Sequence, residues 1–495
     1  VSQVKRSSGI IMHITSLPNK YGIGTFGKEA FDFVDFLKRA GQKYWQLLPL
    51  GPTSFGDSPY QSFSAFAGNP YFIDLDILVK DGILEKGDFK DIDLGENEDE
   101  VNYYKIFKNK MEVLKKAYSN NKNRDRKFIE EFKSENKVWL EDYSLFMALK
   151  NKFDLKSWQK WPEDIKLREK EAMNKYSKEL EDEVNYWVFL QYHFYKQWNA
   201  LKGYANGLGI NIIGDIPIYV SEDSADAWAF SEIFMLDDKK IPIRVAGCPP
   251  DSFSRTGQLW GNPLYDWDYL DETNYSWWVN RIRENLKLYD VIRIDHFRGF
   301  ESYWSIPYEE DTAINGKWVK GPGNKLFKAI KDALGNINII AEDLGYLTQE
   351  VIDFREETGF PGMKVLQFAF DTREESDYLP HNYNKNCVVY TGTHDNDTFM
   401  GWFENSGNKE DVSHAVKYLK LNKDEGYNWG FIRGAWSSVG ALAIAPIQDF
   451  LGLGSEARIN TPSTLGANWK WRAKAEQLTG ELADKINEIT SLYGR

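Results

Sequence analysis

Short apolar runs recur along the chain, each closing on polar or charged residues, at positions 9–14, 45–50, 210–219, 291–295, 337–343, 363–370, 387–395 and 442–450. Their near-continuous Ile, Val and Leu content predicts strands buried on both faces, as in a parallel sheet. Segments of helical periodicity lie between them, at 27–40, 323–334 and 349–358. Alternation of this kind predicts an α/β fold. Eight runs match the strand count of a closed (β/α)8 TIM barrel, and no glycine-rich dinucleotide turn follows the first run, which removes the commonest open-sheet arrangement. The expected architecture is one catalytic barrel over residues 1–495 that ends soon after its eighth strand.

Two spacings are too long for single crossovers. Residues 80–207 are rich in Lys and Glu, and within them Trp187, Leu190, Phe194, Trp198 and Leu201 recur at three- and four-residue steps, the stripe of an amphipathic helix. This segment reads as a helical insertion between strands 2 and 3, its stripe serving packing. A second insertion, 221–289, follows strand 3 and is rich in Trp, Tyr, Asp, Gly and Pro. It reads as irregular, aromatic loop sequence. Both insertions follow the carboxyl ends of strands, where barrel active sites form.

The strand ends themselves supply acids: Asp215, Asp295, Glu342 and Asp395. In a barrel all four converge on one rim. Arg293 stands two residues before Asp295 on the same strand face, and a guanidinium there is expected to favour the ionised carboxylate, as a nucleophile requires. Glu342, between an apolar strand and Asp343, is expected to hold its proton longer, as a general acid requires. Two such groups about 5–5.5 Å apart across a glycosidic bond make a retaining glycoside-processing site. His394 and Asp395 would then bind sugar hydroxyls near the reacting carbon. Taken singly, each piece reads equally well as structure: a buried ion pair, a solvated acidic doublet, a turn cap. A divalent-metal hydrolase or lyase using Asp295, His296, Glu342, His394 and Asp395 is a second reading, against which stands the absence of H-x-H or H-E-x-x-H spacing. A carbohydrate-binding protein without catalysis is a third, and it has no use for paired acids.

Composition narrows the partners. Lys and Arg number 61 against 74 for Asp and Glu, so the net charge of −13 leaves no basic footprint for nucleic acid. The longest uncharged stretch, 434–448, holds Ser, Gly and Pro and is too short to span a bilayer. Nothing at the N-terminus reads as a secretory signal, and Cys248 and Cys387 cannot form a disulfide framework. The chain therefore reads as cytoplasmic. Aromatic residues are 15% of it, enough for sugar stacking, although a large aromatic core is the simpler account of composition alone.

The long blocks carry more. Arg293-Ile-Asp-His-Phe-Arg-Gly299, Ala341-Glu-Asp-Leu-Gly345, Thr393-His-Asp-Asn396 and Gly214-Asp-Ile-Pro-Ile-Tyr-Val220 resemble the signature segments of glycoside hydrolase family 77, the 4-alpha-glucanotransferases or amylomaltases. So do the segments 8–18, 58–71, 257–263, 456–462 and 466–472, so the resemblance covers essentially the whole chain. Departures are mild: Ile14, Thr25-Phe26 and Cys248. The resemblance implies a barrel with inserted subdomains, no separate C-terminal β-domain, and no cofactor or required metal. It implies transfer of α-1,4-glucan segments between malto-oligosaccharides, with an amylase-like α-1,4-glucan hydrolase as the alternative. By it, Asp295 is similar to the nucleophile, Glu342 to the general acid/base and Asp395 to a third, transition-state-stabilising carboxylate. Arg293, His296, His394 and Asp215 resemble residues around the reacting glucose, and Tyr60 an aromatic platform beneath the donor sugar. Phe253, Trp260 and Asn468 match loops over the acceptor side.

Overall fold

The computed structural model describes residues 5–495 apart from 55, 252–253, 346 and 374–375. Its strands are β1 (Ser7–Ile11), β2 (Tyr44–Gln46), β3 (Asn211–Pro217), β4 (Arg244–Cys248), β5 (Gln258–Pro263), β6 (Val291–Asp295), β7 (Ser302–Pro307), β8 (Lys317–Lys320), β9 (Ile339–Ala341), β10 (Gly362–Val365), β11 (Cys387–Tyr390) and β12 (Leu442–Pro446). Eight of these pair in parallel in the cyclic order β10–β11–β12–β1–β2–β3–β6–β9. The two ends of that order meet where the Ala341 amide donates to the Pro361 carbonyl at 2.9 Å, which closes the ring. The chain is a (β/α)8 barrel.

The continuous apolar runs follow from burial on both faces. Ile11, Ile213, Val291, Ile340, Val388 and Ile444 form a cluster of their own inside the ring, while their neighbours Ile10, Ile212, Ile292 and Ile339 join the larger core under the helices. Side chains alternate along a strand, so Asp215, Arg293, Asp295 and Glu342, at even steps from inner residues, share the inward face. Gly214, on the outward face of β3, has no room for more: a Cβ there would lie 2.1 Å from the Tyr289 ring.

Several runs outlast their strands. β11 stops at Tyr390, and residues 391–398 form a loop in which the Thr393 amide donates to the Asn396 side chain at 2.8 Å. After β10 and β12 the apolar sequence continues into a 3-10 turn (Leu366–Phe368) and a short helix (Ile447–Leu451), both buried for much of their length. Apolar character there reports burial of the turn, not extension of the strand.

Between β2 and β3 the chain is mostly helical and ends in the 27-residue helix Glu181–Gly207. Trp187, Leu190, Phe194, Trp198 and Leu201 are all buried, and the Trp198 indole donates to the Leu288 carbonyl at 3.0 Å. The segment read as irregular loop around 257–263 is instead a strand. β5, β4, β7 and β8 form a separate antiparallel sheet in that order. Its pairing joins sequence on either side of β6, which local periodicity does not reveal.

Candidate active site

The mouth of the barrel is organised around one arginine. Arg293, on β6 and almost wholly buried, directs Nη1 at both oxygens of Asp215 on β3 at 2.7 Å and at Oδ1 of Asp295 at 3.2 Å. Its Nε donates to the Met363 sulfur on β10 at 3.3 Å. Parallel pairing sets Asp215 beside Arg293 in register, so the contact is dictated by the sheet. The Tyr60 hydroxyl donates to the other side of Asp215, at 2.7 Å to Oδ2.

Glu342 follows β9. Its Oε2 accepts from the His296 amide at 2.7 Å and its Oε1 from the Leu344 amide at 2.8 Å. His296, the residue after Asp295, has φ of 54°, in the left-handed region that non-glycine residues avoid. That turn aims its amide at Glu342 and ties the two strand ends together. Strain of this kind is characteristic of functional sites. Burial and the facing Asp295 charge push the Glu342 carboxyl well above the usual carboxylate range, against the lowering effect of Arg293 and the two amides.

Asp295 behaves differently from expectation. Although Arg293 lowers its pKa, desolvation in the cleft outweighs that and the net direction is upward, with Asp215 and Asp395 adding to it. The geometry limits what Arg293 offsets: the guanidinium makes two short contacts with Asp215 and reaches Asp295 by one longer contact. The Asp295 side chain keeps 34% of its surface open to the cleft.

Asp395 lies beyond β11 in the loop and is half exposed. Its Oδ1 is 3.3 Å from His394 Nε2 and accepts from Asn460 at 2.7 Å, and Arg458 donates to its carbonyl at 2.7 Å. Desolvation would raise Asp395, but the His394 charge and hydrogen bond, with Asn460, hold it well below the usual carboxylate range. The pairing outweighs burial at His394 and raises its pKa. His394 stacks on Tyr60 at 5.0 Å between centroids, with Trp469 5.9 Å from Tyr60.

Trp260, on β5, meets His296 edge to face at 4.8 Å. Burial, then the Arg298 charge, lower His296 to about 3, so its ring is neutral at physiological pH. Asn468 is turned onto its own loop, accepting from the Thr461 amide at 3.0 Å and donating to the Thr464 carbonyl at 3.0 Å. Phe253 lies outside the described residues. Asn460 and Arg458 went unassigned in the sequence, although both stand in the 456–462 block. Among the described residues no group of three or more His, Cys, Asp or Glu is arranged to hold a metal ion, and no helix is long and apolar enough to cross a membrane.

Fold and site together define a barrel enzyme built around carboxyl groups at the strand ends. The chain belongs to the 4-alpha-glucanotransferase family, glycoside hydrolase family 77, whose sequence profile matches residues 12–478. It is 61% identical over 485 residues to a 4-alpha-glucanotransferase of Clostridium butyricum, covering 98% of this chain and 100% of that one. With a 4-alpha-glucanotransferase of Streptococcus pneumoniae it shares 51% identity over 493 residues, 99% of this chain and 98% of the relative. The amylomaltase of Streptococcus agalactiae, solved with acarbose, superposes with a TM-score of 0.96 at 46% identity over 99% of this chain and 100% of that chain.

Proposed function

We propose that the protein is a retaining transglycosylase that moves α-1,4-glucan segments from a donor malto-oligosaccharide to the 4-hydroxyl of an acceptor glucan or glucose. One observation carries the residue assignment: Glu342 and Asp295 meet at one rim in unequal settings, Asp295 touching a guanidinium and Glu342 only backbone amides. In the first half-reaction Glu342 gives its proton to the glycosidic oxygen. The bond from that oxygen to C1 breaks, and Asp295 forms an ester with C1. In the second, Glu342 takes the proton of the acceptor 4-hydroxyl, whose oxygen bonds C1 as the ester opens. Two inversions restore the α linkage.

Asp395, kept anionic by His394 and Asn460, faces the positive charge that develops at the ring. Arg293, Asp215 and His394 surround the reacting glucose, with Tyr60 as the ring beneath it. Trp260 covers the acceptor side, as does the loop that Asn468 braces, so that sugar and not water resolves the ester. Water in the same place would give the amylase-like hydrolase. Neither reading uses a cofactor. The reading makes this a cytoplasmic enzyme of soluble malto-oligosaccharides and α-1,4-glucans, without nucleic-acid or membrane partners.

Incubation with maltotriose separates the two. Transfer yields glucose with maltopentaose and longer chains, while reducing ends stay nearly constant because each bond broken is matched by one formed. Rising reducing ends with no product longer than maltotriose would overturn the transferase reading.

A further inference from the structure

The antiparallel sheet carries a row of apolar side chains on its outer face. Leu259 on β5 opposes Gly247 on β4, Gly247 opposes Trp304 on β7, and Trp304 opposes Trp318 on β8. Directly opposed residues share a face, so Leu259, Trp304 and Trp318 lie in line across about 14 Å, three strand spacings of ~4.8 Å. Trp260, the next residue after Leu259, turns to the inner face and meets His296. Leu259 is 39% and Trp318 44% exposed.

Trp318 is held as a platform would be. The Arg298 guanidinium sits 4.3 Å from its ring centroid, and Trp304 meets it edge to face at 5.3 Å. Trp304 is itself anchored by its indole donating to the Ala313 carbonyl at 2.8 Å. Arg298 follows His296 by two residues, so the turn after β6 that meets Trp260 through one side chain meets Trp318 through another. An indole held by two such contacts loses little freedom when a ligand covers its remaining surface. The apolar face of a glucosyl ring suits such a surface. Lys317 and Lys320 flank Trp318 on the edge strand, which disfavours pairing with a second copy and leaves a neutral, hydroxyl-bearing ligand unopposed.

Building on the transfer reading above, we propose that Trp318, backed by Arg298 and Trp304, is a stacking platform for acceptor glucosyl units beyond those at the reacting centre. It makes the enzyme prefer long acceptors to glucose. The test compares glucose and reducing-end-labelled maltoheptaose as acceptors, from one donor, for the wild-type protein, Trp318→Ala and Trp318→Tyr. The KM for maltoheptaose should rise about 5-fold in Trp318→Ala, the loss of one stacked ring. Trp318→Tyr should recover most of it, and KM and kcat with glucose should stay unchanged. An equal shift on both acceptors, no shift on either, or a shift that follows a change in sedimentation coefficient would overturn the platform. Absence of transfer in the wild-type protein would instead overturn the reading it rests on.

Discussion

Replacing Arg293 by Met removes the cation shared by Asp215 and Asp295 while keeping much of the side-chain bulk. At 3.2 Å and an effective dielectric near 20, a unit charge acts on Asp295 with about 5 kcal/mol. Solvent screening reduces that, because a third of the Asp295 side chain faces the open cleft. A net loss of about 1.4–2.7 kcal/mol at Asp295 is a reasonable remainder, one to two pH units. Arg293 lowers the pKa of both Asp295 and Glu342, so its removal moves both carboxyls further up. Since Asp295 must be ionised to attack, the acid limb of kcat/KM should shift to higher pH by that amount. Activity below the limb should fall about 10- to 100-fold beyond any uniform loss. Breaking the buried Arg293–Asp215 pair should also cost about 3–5 kcal/mol of stability, softened by the Tyr60 hydroxyl that still donates to Asp215. The assay is maltotriose disproportionation from pH 5 to 9, with circular dichroism at each pH to count only folded enzyme. A uniform drop in kcat with the acid limb unmoved would refute the electrostatic role and leave Arg293 a structural brace.

Asp295→Asn should lose several orders of magnitude in kcat while still binding malto-oligosaccharides by titration calorimetry; a variant keeping more than a tenth of wild-type turnover would remove Asp295 from the nucleophile's role. Trp260→Ala should raise the ratio of reducing ends formed to chains transferred, and an unchanged ratio would move the acceptor-covering function to another residue. Exhaustive dialysis against EDTA should leave disproportionation intact, because Arg293 beside Asp215 and Asp295, and His394 beside Asp395, already supply positive charge among the carboxylates. Loss of activity restored by one divalent ion would sink that expectation.

What could be read along the chain was what depends on local pattern. Burial on both faces of each strand writes itself as apolar runs, and the carboxyl end of such a run announces its acid, as at Asp215, Asp295 and Glu342. Family-specific blocks such as 293–299 carried the residue types of the site without any geometry. Relations between distant segments were not legible. The pairing of Arg293 with Asp215 depends on β3 lying beside β6 in register, and desolvation in the closed cleft, with Asp215 adding to it, reverses the pKa direction that strand spacing alone suggested for Asp295. The donation of Asn460 to Asp395 joins a late loop to the one after β11, and the left-handed turn at His296 delivers an amide to Glu342 from another strand. The second sheet pairs sequence from both sides of β6, a relation that no local pattern records. Local sequence sets which residues are buried and which are acids. Distance, desolvation and the sharing of one charge between two carboxylates exist only once the barrel has closed.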